Sequence, residues 1–185
     1  MPTHDVFNQP PPLENYNAFD EDRALGEALE RHGGAWGAPR VREVGRLVGG
    51  EAMVWGAQAN RHPPELHTHD RFGHRIDEVE FHPAWHNLMA AAVGSGLHSL
   101  PWQQSRQGAH VVRAAAGYLM GQAESGHGCP ITMTFAAVPA LRAQPDVAEE
   151  WVPRFISSEY DPRCIPAAQK KGALCGMAMT EKQGG

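Results

Sequence analysis

The sequence predicts a mainly α-helical domain, residues 20–170, between an extended arm, residues 1–19, and the start of a β domain, residues 171–185. Apolar residues recur at steps of three and four along the middle of the chain, which is the spacing of the buried face of a helix. Twenty glycines and fifteen prolines break this pattern into short helices. Near Gly172 the pattern changes to a short run of Ala, Leu, Cys and Met, which predicts a strand and places the domain boundary there.

The arm contains Gln9-Pro10-Pro11-Pro12 and has no hydrophobic period. Consecutive prolines favour the polyproline II conformation, so we expect the arm to be extended and to lie at a surface. From composition alone the arm is typical of a disordered leader.

A first helix is predicted after Asp20-Glu21-Asp22, because acidic residues favour a helix start and Leu25 and Leu29 share one face. It should end at Gly33-Gly34. A second, longer helix is predicted from about Pro39 to Asn60, with a buried stripe of Val41, Val44, Val48, Ala52, Trp55 and Ala59. Each glycine within this helix lowers its intrinsic stability by up to about 1 kcal/mol, so we expect closely packed neighbours to stabilise it. These glycines are Gly45, Gly49 and Gly50.

The rest of the domain is predicted as one loop, one turn and four helices. Residues 65–82 are polar and rich in His, Asp and Arg, so they are predicted as a connecting loop. The turn is Leu100-Pro101-Trp102, and the helices run from His82-Pro83 to Gly94, from Ala109 to Glu124, from Pro130 with a kink at Pro139, and from Val147 to Ser158.

Charge and cysteine usage narrow the class of protein. Sixteen Lys and Arg against twenty-one Asp and Glu give a net charge of -5, so the chain lacks the electrostatic footprint of a nucleic-acid binder. Three widely spaced cysteines in no Cys-x-x-Cys arrangement indicate a reducing compartment. The first residues lack a signal peptide pattern, and no apolar run approaches the roughly 18 residues of a membrane span. We therefore expect a cytoplasmic protein with no membrane partner.

Eleven histidines raise the question of a metal site. His82 and His86 would share a helix face, but the zinc-protease pattern needs Glu after the first His, and Pro83 stands there. A weaker cluster, His67-Thr68-His69-Asp70, lies on the predicted loop. Because no cysteine partner or third ligand is indicated, we predict no metal.

The sequence also offers no clear nucleophile, since no Gly-x-Ser-x-Gly pattern occurs. Cys129 precedes Pro130 at a predicted helix start, where the helix dipole could stabilise a thiolate. A buried structural role is the favoured interpretation, because free cysteines are usually buried. We assign no catalytic residue.

The stretch from Met177 to Gly185 is the most informative one. An apolar run ends in Thr180 and Glu181, and Gly184-Gly185 follow, which is typical of a strand that opens into a loop. Paired glycines can adopt positive φ and let backbone N–H groups approach a ligand closely. Composition alone nevertheless favours a plain turn.

The sequence of this loop resembles that of the flavin-binding loop of the acyl-CoA dehydrogenase superfamily, which usually runs Thr-Glu-Pro, a variable residue, then Ala-Gly-Ser-Asp. Lys182 stands where most members have Pro, and Gly184 stands for Ala. With these departures the loop is similar to that of the AidB branch of the superfamily, which is linked to adaptive response. The resemblance extends through Val6-Phe7-Asn8-Gln9-Pro10, Asn60-Arg61-His62-Pro63-Pro64-Glu65-Leu66, Phe81-His82-Pro83-Ala84-Trp85-His86 and residues 129–137.

The resemblance implies a helical N-terminal domain of the acyl-CoA dehydrogenase type, ending at the first strand of a middle β domain. It implies that FAD is bound here by Thr180 at the pyrimidine edge of the ring, by Met177 and Met179 beside the ring, and by Gly184 and Gly185 near the pyrophosphate. The family motif continues with Ser and Asp, so the loop is truncated at residue 185. The catalytic base is expected in a later part of such a protein.

The resemblance also implies partners. Relatives in this branch are homotetrameric flavoproteins that bind DNA through a C-terminal domain and take an acyl-CoA-like ligand. The arm could then pack on a neighbouring subunit, which leaves two interpretations of residues 1–19. Two functions also stay open: an acyl-CoA dehydrogenase-like enzyme linked to the DNA alkylation response, or a non-catalytic DNA-protective flavoprotein in which this domain serves assembly and access to the flavin.

Overall fold

A computed structural model describes residues 3–178, 180 and 182–184. It confirms a mainly α-helical domain. The helices are α1 (Arg23–Arg31), α2 (Ala38–Val48), α3 (Glu51–Arg61), α4 (Pro83–Gly94), α5 (Leu100–Gln103), α6 (Ala109–Ala123), α7 (Gly128–Leu141) and α8 (Pro145–Phe155). The strands are β1 (Glu65–His69) and β2 (Arg75–Glu80), and short 3-10 turns occupy Ala35–Gly37 and Ala167–Gln169.

Asp22 precedes helix α1 and caps it, because its side chain accepts a hydrogen bond from the Leu25 N–H at 2.9 Å. This bond satisfies one of the N–H groups that have no partner within the helix. The acidic residues therefore precede the first turn, and Asp22 caps it. Leu29 is buried, as the predicted face requires.

The long helix predicted from Pro39 to Asn60 is wrong, because it is two helices, α2 and α3, separated by Gly49-Gly50. Two consecutive glycines lose more backbone freedom in a helix than any other pair, so the helix ends there. The apolar stripe still faces one core across the break. Its members Val41, Val44, Val48 and Ala52 are all buried.

Gly45 within α2 and Gly49 just after it allow the end of the arm to lie directly on the helix backbone. The Ala18 N–H donates to the Gly45 carbonyl at 3.0 Å, and the Tyr16 N–H donates to the Gly49 carbonyl at 3.3 Å. A Cβ on Gly45 would lie 2.6 Å from the Phe19 backbone nitrogen. The expected close neighbours of this helix are therefore residues 16–19 of the arm.

Helix α6 lies at the centre of the bundle and packs against α1, α2, α3 and α5. Val112, Ala116, Leu119 and Met120 point from it into the core and are buried. Helices α3 and α4 pack on each other, and so do α7 and α8. Pro139 lies within the last turn of α7, which ends two residues later at Leu141.

The loop predicted for residues 65–82 is wrong, because the segment forms an antiparallel hairpin of β1 and β2. Asp70 accepts from the N–H groups of Phe72 and His74, and Gly73 has a φ of 84°. Both features belong to a tight turn, and the pair Asp70 and Gly73 was the sequence signal for it. Both faces of the hairpin are largely exposed, so its strands lack a clear apolar alternation.

A bulge gives this hairpin one apolar face. Leu66 pairs with Val79, and His69 pairs with Arg75. Asp77 lies at the bulge with a φ of 46°, so Ile76 falls on the same face as Leu66 and Val79. These three side chains are exposed.

The predicted turn at Leu100-Pro101-Trp102 is also wrong, because these residues form the short helix α5. Pro101 fits its first turn, where a backbone N–H is not needed. None of the described helices is long and apolar enough to cross a membrane.

The chain after α8 returns along the bundle in a loop held by Asp161. This carboxylate accepts from Arg163 Nε at 2.8 Å and Nη2 at 2.6 Å, and from the backbone N–H of Lys171 at 3.3 Å. Its side chain is 6% exposed. These bonds, first those from the Arg163 side chain, hold the pKa of Asp161 far below its usual range although burial opposes them.

Replacing Gly45 by Ala should destabilise the domain by about 1–3 kcal/mol, because the new methyl group overlaps Phe19 and forces the arm off α2. Thermal and urea unfolding measure the change. Gly26→Ala is the matched control, because Gly26 is also within a helix but has no atom within 4 Å of an added Cβ. It should stabilise by up to about 1 kcal/mol. Equal effects of the two changes would contradict the close contact.

Replacing Asp161 by Asn should loosen the loop between Tyr160 and Lys171, because Asn cannot accept from both nitrogens of Arg163 and carries no charge. Folding lowers the pKa of Asp161, so its ionised carboxylate stabilises the loop at any pH above its pKa in the unfolded chain, about 4. This stabilisation is lost as the pH falls through the pKa of the folded state. At pH 7 we expect several-fold faster hydrogen exchange at the Lys171 N–H. Asp146→Asn is the control, because Asp146 bonds only its own neighbourhood through Gln144. Unchanged exchange in Asp161→Asn would refute this role.

Candidate functional site

The predicted flavin loop leaves the bundle from two anchored residues. The Ala173 N–H donates to the Arg154 carbonyl at the end of α8, at 3.2 Å. The Cys175 N–H donates to Thr134 Oγ1 on α7 at 3.0 Å, and this hydroxyl donates in turn to the Pro130 carbonyl at 2.8 Å. Thr134 is fully buried. The segment is therefore fixed to α7 and α8 before the loop begins.

Gly172 allows the segment to pass under the loop that follows α8. Gly172 is buried, and a Cβ there would lie 2.2 Å from the Glu159 carbonyl oxygen. The predicted strand is not present among the described residues 172–178. The backbone N–H groups of Ala173 and Cys175 bond to a helix end and to a side chain, so they do not pair with another strand.

The structure places three of the predicted flavin-binding residues on the surface. Met177 is 51% exposed, and Thr180 and Gly184 are exposed as well. Met179 and Gly185 lie outside the described residues. These three residues belong to one loop that follows the anchored residues Ala173 and Cys175. The loop therefore exposes to solvent part of the Met177 side chain, the Thr180 hydroxyl and the backbone of Gly184.

A cavity of about 540 Å³ lies beside the anchored segment. Its wall is formed by α4, the end of β2, the loop after α8 and residues 172–174. His86 Nδ1 and the Tyr160 hydroxyl lie 2.8 Å apart within this wall. Burial raises the pKa of Tyr160 to about 12 and lowers the pKa of His86. Both groups are therefore neutral at pH 7 and form a hydrogen-bonded pair.

His98 lies in the same wall and is fully buried. Its Nε2 bonds the Ser157 carbonyl at 2.9 Å, so this nitrogen carries the proton. Burial, more than any other cause, lowers the pKa of His98. Its Nδ1 is an acceptor with no partner among the described residues. Sequence analysis missed Tyr160 and His98, and no local pattern marks either one.

The histidines considered for metal binding lie apart in the structure. His82 caps α4 by accepting from the Ala84 N–H at 3.2 Å and stacks on His62, whereas His86 bonds Tyr160. His67 bonds Glu80 across the hairpin. Within residues 3–178, 180 and 182–184 no three His, Cys, Asp or Glu side chains come together as a metal site would need.

The expected burial of Cys129 is wrong, because its side chain is exposed near the start of α7. Pro130 follows it as the third residue of that helix, so the thiol lies on the outer face of the first turn. Cys164 is also exposed and lines the cavity of about 540 Å³.

Comparison with known proteins adds to this geometry. Residues 8–162 match the family described as the adaptive response protein AidB N-terminal domain. The match ends before the predicted flavin loop. AidB of Escherichia coli (strain K12), whose name places it among acyl-CoA dehydrogenases, is 47% identical over 186 residues, which is 99% of this chain and 34% of that protein. The chain therefore spans about one third of the length of this curated relative.

Two solved structures share the fold. The apo-form of Bd2924 has a TM-score of 0.82 at 24% identity, over 97% of this chain and 35% of its own. Caenorhabditis elegans ACDH-11, solved in complex with C11-CoA, has a TM-score of 0.77 at 24% identity, over 99% of this chain and 32% of its own. The helical bundle and the family match agree, and the chain belongs to the AidB N-terminal domain family.

Proposed function

We propose that this chain is the N-terminal part of an FAD-dependent, acyl-CoA dehydrogenase-like flavoprotein linked to the response to DNA alkylation damage. The observation that carries the proposal is the loop of Met177, Thr180 and Gly184, which is exposed beyond two fixed backbone anchors in a chain of the AidB family. The domains in this proposal are an arm, residues 1–19, the helical domain, residues 20–170, and the start of a β domain, residues 171–185.

The exposed loop fits a flavin. Thr180 offers a hydroxyl and a backbone to the polar edge of a flat ring, and Met177 offers an apolar surface to its face. Gly184 carries no side chain that would keep a pyrophosphate from the backbone N–H groups. Met179 and Gly185 complete the proposed site. When bound, the flavin would accept a hydride, while these residues bind and orient it.

An acyl-CoA-like substrate is proposed by analogy with the relative solved with C11-CoA. The cavity of about 540 Å³ adjoins the anchored segment and carries the neutral pair His86 and Tyr160. These groups can bind a carbonyl or hydroxyl of a ligand. We assign no catalytic base to this chain. Glu181 follows Thr180 in the sequence, but this proximity does not make it the base.

The second candidate is a non-catalytic DNA-protective flavoprotein in which this domain serves assembly and access to the flavin. Unpartnered apolar side chains favour an assembly role. They occur on the arm and on the apolar face of the hairpin, at Val6, Phe7, Leu13, Leu66, Ile76 and Val79. In this proposal the protein is a homotetramer in the cytoplasm, and DNA binds to a domain that follows this one.

One experiment separates the two candidates. A protein that continues this chain through the length of its relatives is purified with FAD and mixed with acyl-CoA thioesters of increasing length. Rapid bleaching of the flavin without DNA affinity supports the enzyme and excludes the protective role. Tight, salt-sensitive DNA binding without bleaching supports the protective role and excludes the enzyme.

In the same protein, Thr180→Val should raise the Kd of FAD roughly fivefold, because about 1 kcal/mol of hydrogen bonding is lost. Flavin fluorescence during titration of the apoprotein measures the Kd. Thr68→Val is the control, because Thr68 is an equally exposed threonine on β1. An unchanged Kd in Thr180→Val would remove this residue from the proposed site.

The chain of residues 1–185 alone should retain little FAD, because it supplies one loop to a cofactor that is large and charged. Gel filtration with absorbance at flavin wavelengths tests this. Stoichiometric yellow flavin that stays with the chain would contradict the expectation.

A further inference from the structure

A second pocket, of about 420 Å³, lies between α6 and α7. None of the described residues between 172 and 184 lines it. Leu97, Met120 and Ile131 form apolar parts of its wall. Gly117, Gly121 and Gly128 also line it, and an added Cβ at any of them would meet no atom within 4 Å. The wall is therefore open where side chains could have filled it.

Arg113 lines this pocket and is held in a fixed orientation by two contacts. Its Nε donates to the Leu97 carbonyl at 2.6 Å. Its guanidinium carbon lies 3.6 Å from the centre of the Phe135 ring. Phe135 is stacked in turn on Trp102 at 4.8 Å, and Trp102 Nε1 donates to the Phe135 carbonyl at 3.0 Å. A guanidinium fixed along one edge and one face still presents its two Nη groups.

The charge of Arg113 has no counter-ion in the described part of the chain. No described carboxylate lies within 4.0 Å of it, and its Nη groups bond no described residue. Burial lowers the pKa of Arg113, which means that its charge is partly removed from water. Arginine stays charged at pH 7, so an anion that enters the pocket gains a charge-assisted bidentate hydrogen bond.

Among the described residues that line the pocket, the one carboxylate, Glu124, already has hydrogen-bond partners of its own. Glu124 accepts from the backbone N–H groups of Gly126 at 2.6 Å and His127 at 2.8 Å, and from His127 Nδ1 at 3.0 Å. Burial by itself would raise the pKa of Glu124, but these bonds lower it, so Glu124 stays ionised. Glu124 therefore holds the turn before α7 and orients His127, and no described contact joins it to Arg113.

We propose that the pocket between α6 and α7 binds a small aliphatic monocarboxylate, with the carboxylate on the Nη groups of Arg113 and the alkyl chain along Leu97, Met120 and the glycines of α6. A volume of about 420 Å³ lies within the range of roughly 300–1,000 Å³ for small-molecule sites. The proposal does not depend on flavin, because every residue in it belongs to the helical domain.

The test is a titration of the chain of residues 1–185 with hexanoate, followed by calorimetry and by NMR of the Ile131 methyl and His127 ring signals. We expect saturable binding with a Kd of about 1 mM or tighter and shifts at both residues. Hexanol and hexylammonium have the same alkyl chain without the negative charge, and they should bind at least about tenfold more weakly. Equal binding of hexanol, or no saturable binding of hexanoate, would overturn the proposal.

Variants locate the site. Arg113→Gln should weaken hexanoate binding at least about tenfold, and Arg113→Lys should weaken it less, because Lys keeps the charge but loses the bidentate geometry. Arg106→Gln is the control, because Arg106 stacks on Trp36 and lies outside the pocket. It should leave binding unchanged.

A second variant keeps the test decisive if Arg113→Gln unfolds. Gly117→Leu places its side chain in open space, so the fold should persist in circular dichroism while the pocket is filled. Binding of hexanoate should then be lost. Unchanged binding in a folded Gly117→Leu or Arg113→Lys protein would show that hexanoate binds elsewhere and would refute the site.

Discussion

The fold depends on close backbone contact at a few glycines around α6. A Cβ on Gly37 would lie 2.3 Å from a methyl group of Val112, and one on Gly56 would lie 2.2 Å from the Ala123 carbonyl oxygen. Glycine is the only residue that fits such distances. These contacts place the two ends of α6 against the chain before α2 and against α3. The core then fills between them.

The position of α6 determines what its other face can do. One side of α6 packs on α2 and α3. The side that carries Arg113, Gly117 and Gly121 faces the second pocket, which α7 lines from the other side. Helix α7 also supplies Thr134, which holds the segment at Cys175. The candidate flavin loop and the second pocket therefore both depend on α7, although they share no described residue.

The sequence was sufficient for features that depend on neighbours along the chain. Helices α4 and α6 follow from periodicity, and α1 follows from a capping signal and one apolar face. The hairpin was missed because both of its faces are exposed, and burial is what produces the alternation that predicts strands. The break at Gly49-Gly50 was missed because the apolar stripe continues across it. The low helix propensity of the two glycines ends α2 there, although the apolar periodicity continues into α3.

The candidate sites differ in the same way. The loop of Met177, Thr180 and Gly184 is one continuous motif, so the sequence could name it. The bond between His86 and Tyr160 joins residues 74 positions apart, and the stack of Arg113 on Phe135 joins different helices. No spacing rule on one sequence contains such pairs. Only the packing of the bundle brings them together.

The arginines of this chain help to choose between its proposed roles. Several are packed on aromatic rings within the domain, among them Arg42 on Phe19, Arg106 on Trp36, Arg142 on Trp102 and Arg154 on Trp151. An arginine held over a ring in this way is less available to a phosphate backbone. With a net charge of -5 as well, the chain has little cationic surface to offer to DNA. The described part of this chain is therefore poorly suited to contact with DNA, whereas its exposed apolar arm and hairpin suit contacts with protein.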